Sequence, residues 1–510
     1  MDLTHLHTYG TNEAIPPSTR VELGALALSL GEGCVRCLCW NGVELIRGIT
    51  YPVRDENWGT IRLVSTHEEL NQTPDGIGYV NAFTGADGAI QGEFRLNADR
   101  NGLVEASVSY VASRDFLTNR AGFTLLHPIR GLAGQKMQVH HSDGTEEVAR
   151  FPEAISPAQP ARDVVGLGYS DQGQSVSISM SGDIFEMEDQ RNWTDASYKT
   201  YCRPFALPKP FWIGAGETLT QSISIRMSGS AAGAAQNPST AIVLGAALDE
   251  RLPEICLVGE KGWALPPAMA ADLGIDCIRH LVRLDLDREE APDCDWIAAI
   301  RGGIDLELVV PDDGAAIAPR LAGVARALEA IDRLPERVVA LPAAFLDSYQ
   351  PDEQWPTGAT PKDAADAART AFSGARVGGG MLTNFTEFNR CPPHTKGVDY
   401  VTFGSTAIVH AADDQSVFQT LEALPQVFSS ARLLAGGKPI RLGLVSIGMR
   451  TNPYGDAVMP NPHGARIAMA GDDPRAPALY GAAWLVGMIA ATPNAGPQAV
   501  AVGAPAGPFG

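Results

Sequence analysis

The sequence predicts a multidomain β plus α/β chain, an antiparallel β-sandwich followed by a (β/α)8 barrel, on three observations. Residues 21–227 carry short runs of period-two alternation separated by Asn-Gly, Asp-Gly and Gly-Asp turns. A stretch of small and polar residues, Ser228-Gly-Ser-Ala-Ala-Gly-Ala-Ala-Gln-Asn-Pro-Ser-Thr240, then breaks the pattern. Beyond it buried strands alternate with helical segments, the βα rhythm of a parallel sheet.

In the N-terminal part, Val104-Glu-Ala-Ser-Val-Ser-Tyr110 and Ser175-Val-Ser-Ile-Ser-Met180 are typical half-buried strands. No long amphipathic helix interrupts them, which favours one large sandwich over two α/β units. The chain therefore divides into a sandwich at 1–228, a linker at 229–252 and a catalytic barrel at 253–510. Barrel strands are expected at 254–258, 277–284, 305–310, 338–341, 377–384, 400–403, 440–445 and 499–502, with one helix between successive strands. The clearest helices fall at 316–334, 361–372, 416–434 and 477–491. The eighth strand runs into Gly503-Ala-Pro-Ala-Gly-Pro-Phe-Gly510, so the barrel is expected to be truncated after it, without a final helix.

Composition bounds the function. Among 510 residues, 39 Lys and Arg face 59 Asp and Glu, a formal net charge of −20, which disfavours nucleic acid and anionic membrane as partners. Eight cysteines spread over so long a chain read as reduced thiols of a cytoplasmic protein. Cys34-x-x-Cys37-x-Cys39 lacks the second pair that a tetrahedral metal site needs, and no HExxH, P-loop or GxGxxG pattern occurs. Neither a metal nor a cofactor is expected. Oligomeric state is not legible.

Barrel enzymes gather their chemistry on loops after the strands' C-terminal ends. Those positions here hold Arg283 and Asp285 after strand two, and Asp347 and Tyr349 after strand four. Glu387 and Asn389 follow strand five, His410 and Asp414 strand six, and Arg450, Asn452 and Tyr454 strand seven. Carboxylates, an imidazole, a guanidinium, amides and phenols together suit a small polyhydroxylated ligand. Asp414 equally suits the cap of the following helix. The sandwich has its own dense polar segment, in which Glu186, Glu188, Asp189, Asn192 and Trp193, with His127, would form a second pocket or an ion-paired domain interface.

Several of these stretches resemble the bacterial D-apionate lactonase family: Phe185-Glu-Met-Glu-Asp-Gln-Arg-Asn-Trp-Thr-Asp-Ala-Ser-Tyr-Lys-Thr-Tyr201, Phe116-Leu-Thr-Asn-Arg-Ala-Gly-Phe123, Phe385-Thr-Glu-Phe-Asn-Arg390, Val409-His-Ala-Ala-Asp-Asp414 and Ile447-Gly-Met-Arg-Thr-Asn-Pro-Tyr-Gly455. The resemblance runs across nearly the whole chain. It implies hydrolysis of D-apionolactone, a branched sugar lactone, to D-apionate in apiose catabolism, and a sandwich, a barrel and a further β region, the last beginning where this chain stops. Lactone hydrolysis requires an activated water, a stabilised oxyanion and a proton for the leaving alkoxide. Glu387 or His410 is expected as general base and Arg450 as the oxyanion partner. Arg283, Asp285, Asp347, Tyr349, Asn389, Asp414, Asn452 and Tyr454 are expected to bind substrate. Two alternatives remain open: a glycoside hydrolase using Asp347 and Glu387, and a non-catalytic carbohydrate-binding protein displaying Trp58 and Trp193.

Overall fold

Alternation along single strands builds the N-terminal part. Gly76–Gly85 alternates partly exposed and buried residues over its whole length, and Leu103–Ala112 nearly so, which leaves one face of each strand for a core. The turn into the latter needs Gly102: its φ is +89°, and a Cβ there would lie 2.5 Å from the carbonyl oxygen of Met227. A computed structural model describes residues 3–56, 58–230, 245–247, 249–493 and 496–510. The expected linker at 229–252 falls mostly on 231–244 and 248, outside the described residues.

The chain forms two units: one comprises Ala14–Gln190 and Ser197–Ala246, the other Met1–Glu13, Arg191–Ala196 and Ala247–Gly510. In the first, sixteen strands join in one antiparallel sheet running from Ser18–Leu23 at one edge to Val64–Gln72 at the other. Two separate stacked sheets were expected, whereas the hydrogen-bond ladder is continuous and the sheet curls. Strand Val43–Thr50 thereby packs against Ala161–Asp171 and Gln174–Ser181, to which it is not ladder-bonded, and the Tyr169 hydroxyl donates to the Leu45 carbonyl at 2.7 Å. The edge strand Val64–Gln72 is almost wholly exposed and carries His67, Glu68 and Glu69, charges that discourage pairing with another chain.

The second unit is a closed eight-stranded parallel barrel. Its strands, numbered separately, are β1 (Glu254–Gly259), β2 (Arg279–Asp285), β3 (Ile304–Val310), β4 (Arg337–Pro342), β5 (Arg376–Asn384), β6 (Tyr400–Thr406), β7 (Ile440–Ser446) and β8 (Pro497–Ala501). β8 pairs with β1 through Glu254↔Ala499 and Ile255↔Val500, so the ring of strands is whole, and as expected no helix follows β8 among the described residues. The expected helix between every pair of strands is not found. Only a 3-10 turn, Asp295–Ala299, separates β2 from β3, in a segment broken by Pro292 and rich in charge. Helices after the barrel strands include α1 (Gly314–Ala330), α2 (Pro361–Ala371), the short α3 (Phe385–Arg390), α4 (Asp414–Leu434) and α5 (Leu479–Ala490).

Sequence periodicity explains how ring and helices meet. Ile317, Leu321, Val324 and Leu328 make one stripe of α1, and they pack with the outward Val282, Leu284, Leu306 and Leu308 of β2 and β3. Each such side chain contributes about 1.5–3 kcal/mol on burial. The inward face of the same strands carries charged residues, Arg279 and Arg283 on β2 and Asp305 and Glu307 on β3, beside Leu281 and Val309. At the N-terminal end of the ring Asp305 accepts from Arg279 and Arg337, both at 3.2 Å, and Arg441 lies 3.6 Å away. Burial raises Glu254 in this layer, yet hydrogen bonds from Arg279 and Arg441 bring it down to about 2. One layer higher Glu307 takes the corresponding place.

Candidate active site

Glu307 lies on the inner face of β3 and is 2% exposed. Its Oε2 accepts from Nε of Arg283 at 2.8 Å and from Nη1 of Arg450 at 2.9 Å. Arg450 also donates through Nη2 to Glu260 at 2.6 Å. Arg283 donates through Nη1 to Thr451 at 2.8 Å and through Nη2 to the Leu382 carbonyl at 2.6 Å. Burial, and then the neighbouring Arg450, lower the pKa of Arg283 against the pull of Glu307. Gly443 on β7 leaves room for this carboxylate, since a Cβ there would lie 3.1 Å from Oε1. The cluster floors a narrow cavity at the C-terminal end of the ring, about 20 Å³ and wide enough for roughly one water. Thr383, Asn384, Ser405, Thr406 and Ser446, at the ends of β5, β6 and β7, supply a polar wall.

Glu387 is set by the short helix α3. Phe385 and Phe388, one turn apart, are both buried against Phe403 of β6, with ring centroids at 5.4 and 4.9 Å. A capping box closes the helix start: the Asn384 side chain accepts from the backbone N–H of Glu387, whose Oε2 accepts from the Asn384 N–H at 3.1 Å. Glu387 is fully buried. Burial raises its carboxyl pKa, opposed by Ser348, Arg390 and the Asn384 N–H. Its other oxygen, Oε1, and the neighbouring Thr383 Oγ1 and Asn384 Nδ2 have no hydrogen-bond partner among the described residues. Buried polar atoms of that kind cost free energy unless water or ligand meets them.

The segment Arg191–Ala196 belongs to the barrel unit although it lies in sequence between two strands of the sheet. It joins the loops after β5 and β6. The Asn192 carbonyl accepts from Thr386 Oγ1 at 2.8 Å, and its side-chain Oδ1 accepts from Asn389 Nδ2 at 2.8 Å. Thr194 Oγ1 meets Ser405 Oγ at 2.6 Å. Asp195 Oδ2 lies 2.6 Å from Nδ1 of His410. Trp193 stands between Arg390 and the expected site residue His410: the Arg390 guanidinium lies 5.2 Å from its ring centre, and the His410 ring meets it edge-on at 5.2 Å and 77°.

These contacts sort the residues expected from sequence. Asn389 and His410 are tied together through residues 192–195, which also bind Thr386 and Arg390 on either side of Glu387, and Arg283 and Arg450 are tied through Glu307. Tyr454 reaches the first group: its hydroxyl lies 3.4 Å from Thr386 Oγ1, and burial followed by Glu387 pushes its pKa well up. Asn452 shapes its own turn, accepting from the Tyr454 N–H at 3.0 Å and donating to the Ala457 carbonyl at 2.7 Å. Asp285 likewise accepts from the N–H groups of Asp287 and Arg288. Asp414 begins α4, behind Asp413 as the N-cap, and accepts from Arg466 and Arg475 at 2.9 and 2.8 Å. Asp347 is exposed; partial burial, Asp312 and Asp456 raise its pKa. Tyr349 packs against Trp355 and donates to the Ala344 carbonyl at 3.2 Å.

The six residues grouped as a second pocket or domain interface divide between the units. Asn192 and Trp193 lie in the barrel unit, the others in the sheet. There Glu186 accepts from the Tyr201 hydroxyl and the Phe205 N–H, both at 2.6 Å, and Glu188 pairs with Lys199. Asp189 accepts from the Ser156 N–H at 3.1 Å. His127 is fully buried between Tyr169 and Thr200, each at 2.8 Å, and burial lowers its pKa to about 3.

Two family models match, "D-apionate lactonase, N-terminal domain" over residues 6–230 and "D-apionate lactonase, TIM barrel domain" over residues 278–510. The chain belongs to the D-apionate lactonase family. A relative from Brucella anthropi named D-apionate lactonase is 37% identical over 523 aligned positions, covering 98% of this chain and 85% of the relative. Among solved structures, a putative aldose 1-epimerase from Escherichia coli K12 is 10% identical with a TM-score of 0.29, covering 42% of this chain and 100% of its own. An α-galactosidase from Geobacillus stearothermophilus is 10% identical with a TM-score of 0.30, covering 87% and 81%. At such scores neither bears on function.

For this D-apionate lactonase family member the sequence reading missed Glu307, Asp195 and the polar wall of the cavity. Glu307 carried a signal: a carboxylate in the otherwise apolar Leu306–Val310 end of β3 has to face a partner inside the ring. Asp195 carried none, because nothing local shows that its loop packs with the barrel unit.

Proposed function

We propose that this chain hydrolyses a sugar-acid lactone, D-apionolactone to D-apionate, in the cytoplasm as part of apiose catabolism. Family membership supports the substrate class, and one observation supports the reaction: a single inserted loop pairs a carboxylate with the His410 imidazole and binds the helix that carries the buried Glu387, and Asn384 at the start of that helix lines a polar cavity together with two guanidinium groups. The imidazole or the glutamate would draw a proton from water, whose oxygen attacks the lactone carbonyl. Arg450, which lines the cavity and has further N–H groups besides the two given to Glu307 and Glu260, would hold the negative charge that develops on the carbonyl oxygen. Asn389 and Tyr454 would contact substrate hydroxyls. The free thiols suit a reducing compartment.

The curled N-terminal sheet supports a two-layered, sandwich-like arrangement reached by folding one sheet over. For the reaction, a panel of aldonolactones offered to the purified protein, with acid release followed by a pH indicator and corrected for spontaneous opening, is the direct test. Turnover of the branched five-carbon lactone is expected. Release of sugar from an apiose glycoside without lactone turnover would replace the reading, as would full activity in both Glu387→Gln and His410→Ala.

A further inference from the structure

We propose that Asp195 is a positioning residue for His410, which makes His410 the group that moves the proton. The inference rests on the lactonase reading. Its foundation is the 2.6 Å contact between Asp195 Oδ2 and His410 Nδ1, made by two side chains only 14% and 20% exposed. A carboxylate at Nδ1 fixes the tautomer: the proton sits on Nδ1, and Nε2 carries the lone pair. The same carboxylate stabilises the imidazolium that forms when Nε2 takes up a proton.

The loop that carries Asp195 is held more firmly than a connecting loop needs. Arg191 binds Gln426 of α4, Asn192 binds Thr386 and Asn389 of α3, Trp193 lies between Arg390 and His410, and Thr194 meets Ser405 of β6. Thr194 has a φ of +70°, a conformation that a β-branched residue rarely adopts and that persists where surrounding contacts over-determine it. Five consecutive residues thus hold barrel elements, and the product of that anchoring is the placement of one carboxylate.

The step balances. Water gives a proton to Nε2 as its oxygen bonds to the carbonyl carbon, and the C=O electron pair moves to the carbonyl oxygen. Collapse of the tetrahedral intermediate re-forms C=O and breaks the bond to the ring oxygen, which takes the proton from Nε2. The resulting acid ionises to the carboxylate, and His410 is neutral again.

Asp195→Asn preserves shape while removing the charge and allowing the other tautomer. We expect kcat to fall about 100- to 1000-fold with KM within about twofold. Asp195→Glu should recover part of that loss. In a His410→Ala background Asp195→Asn should cost nothing further, because the two act as a unit. A low-field ring N–H proton signal that is lost in His410→Ala should also be lost in Asp195→Asn, and circular dichroism checks that the variants fold. Wild-type turnover that Asp195→Asn leaves unchanged, or equal losses with and without His410, would overturn the positioning role while leaving the lactonase reading intact. A wild-type protein inactive on every lactone would overturn both.

Discussion

Arg450 donates to Oε2 of Glu307 at 2.9 Å, and Arg283 uses the same oxygen at 2.8 Å, so one buried carboxylate holds two cations at the head of the barrel interior. Removing the carboxylate leaves like charges facing each other with little solvent. Glu307→Ala should therefore lower stability by about 3–5 kcal/mol. Urea melts followed by circular dichroism measure it.

Arg450 bridges Glu307 and Glu260 with separate nitrogens of a rigid fork. Lysine offers one ammonium and cannot reproduce both contacts together with a third toward substrate. Arg450→Lys should fold yet lose about 100-fold in kcat, the scale of a removed oxyanion donor. Steady-state kinetics on the lactone decide the matter.

Burial raises the Glu387 carboxyl above its ordinary value. The native state then holds this proton more tightly than the unfolded chain does. The resulting stabilisation is complete below the unfolded pKa of 4.5 and is lost as pH rises through the folded value. Glu387→Gln keeps a capping acceptor without the titration. Its stability relative to wild type should rise with pH across that window, and denaturant melts from pH 4 to 8 would reveal a flat difference if the carboxyl were not perturbed.

His127 behaves in the opposite sense. Its pKa falls from 6.5 to about 3 in the sheet core, so the unfolded chain takes up a proton there first. This group's contribution is fully present above pH 6.5 and is lost progressively as pH falls toward 3. His127→Gln should be less stable at neutral pH, because it disturbs the contacts to Tyr169 and Thr200, but its acid sensitivity should be shallower. Thermal melts at several pH values separate the two effects.

What could be read from sequence follows the range of the forces involved. The eight barrel strands were visible because each has an apolar outer face under the helices, and some, such as Val338-Val-Ala-Leu341, are apolar on both faces. The start of helix α2 was visible, since Thr360 and Asp363 form a local capping box and Pro361 takes the first turn. The single curled sheet was not, because alternation reports which face of a strand is buried and not which strand lies beside it. At the site, Glu387 and Arg450 stood out as polar residues at strand ends, whereas Asp195 reaches His410 across 215 positions of chain. Asp285 and Asn452 satisfy their own turns in the structure, a local role played by the same short polar side chains that bind sugars.

Because six residues encoded among the sheet strands fold with the barrel, the gene is less modular than its domain plan suggests. A barrel expressed from residue 253 onward would still contain all eight strands of the ring, yet it would lack Asp195 and Trp193. Swapping barrels between homologues at the linker would likewise mate each imidazole with a foreign carboxylate, and recombination between such genes would preserve function only where the two exchanged pieces had changed in step.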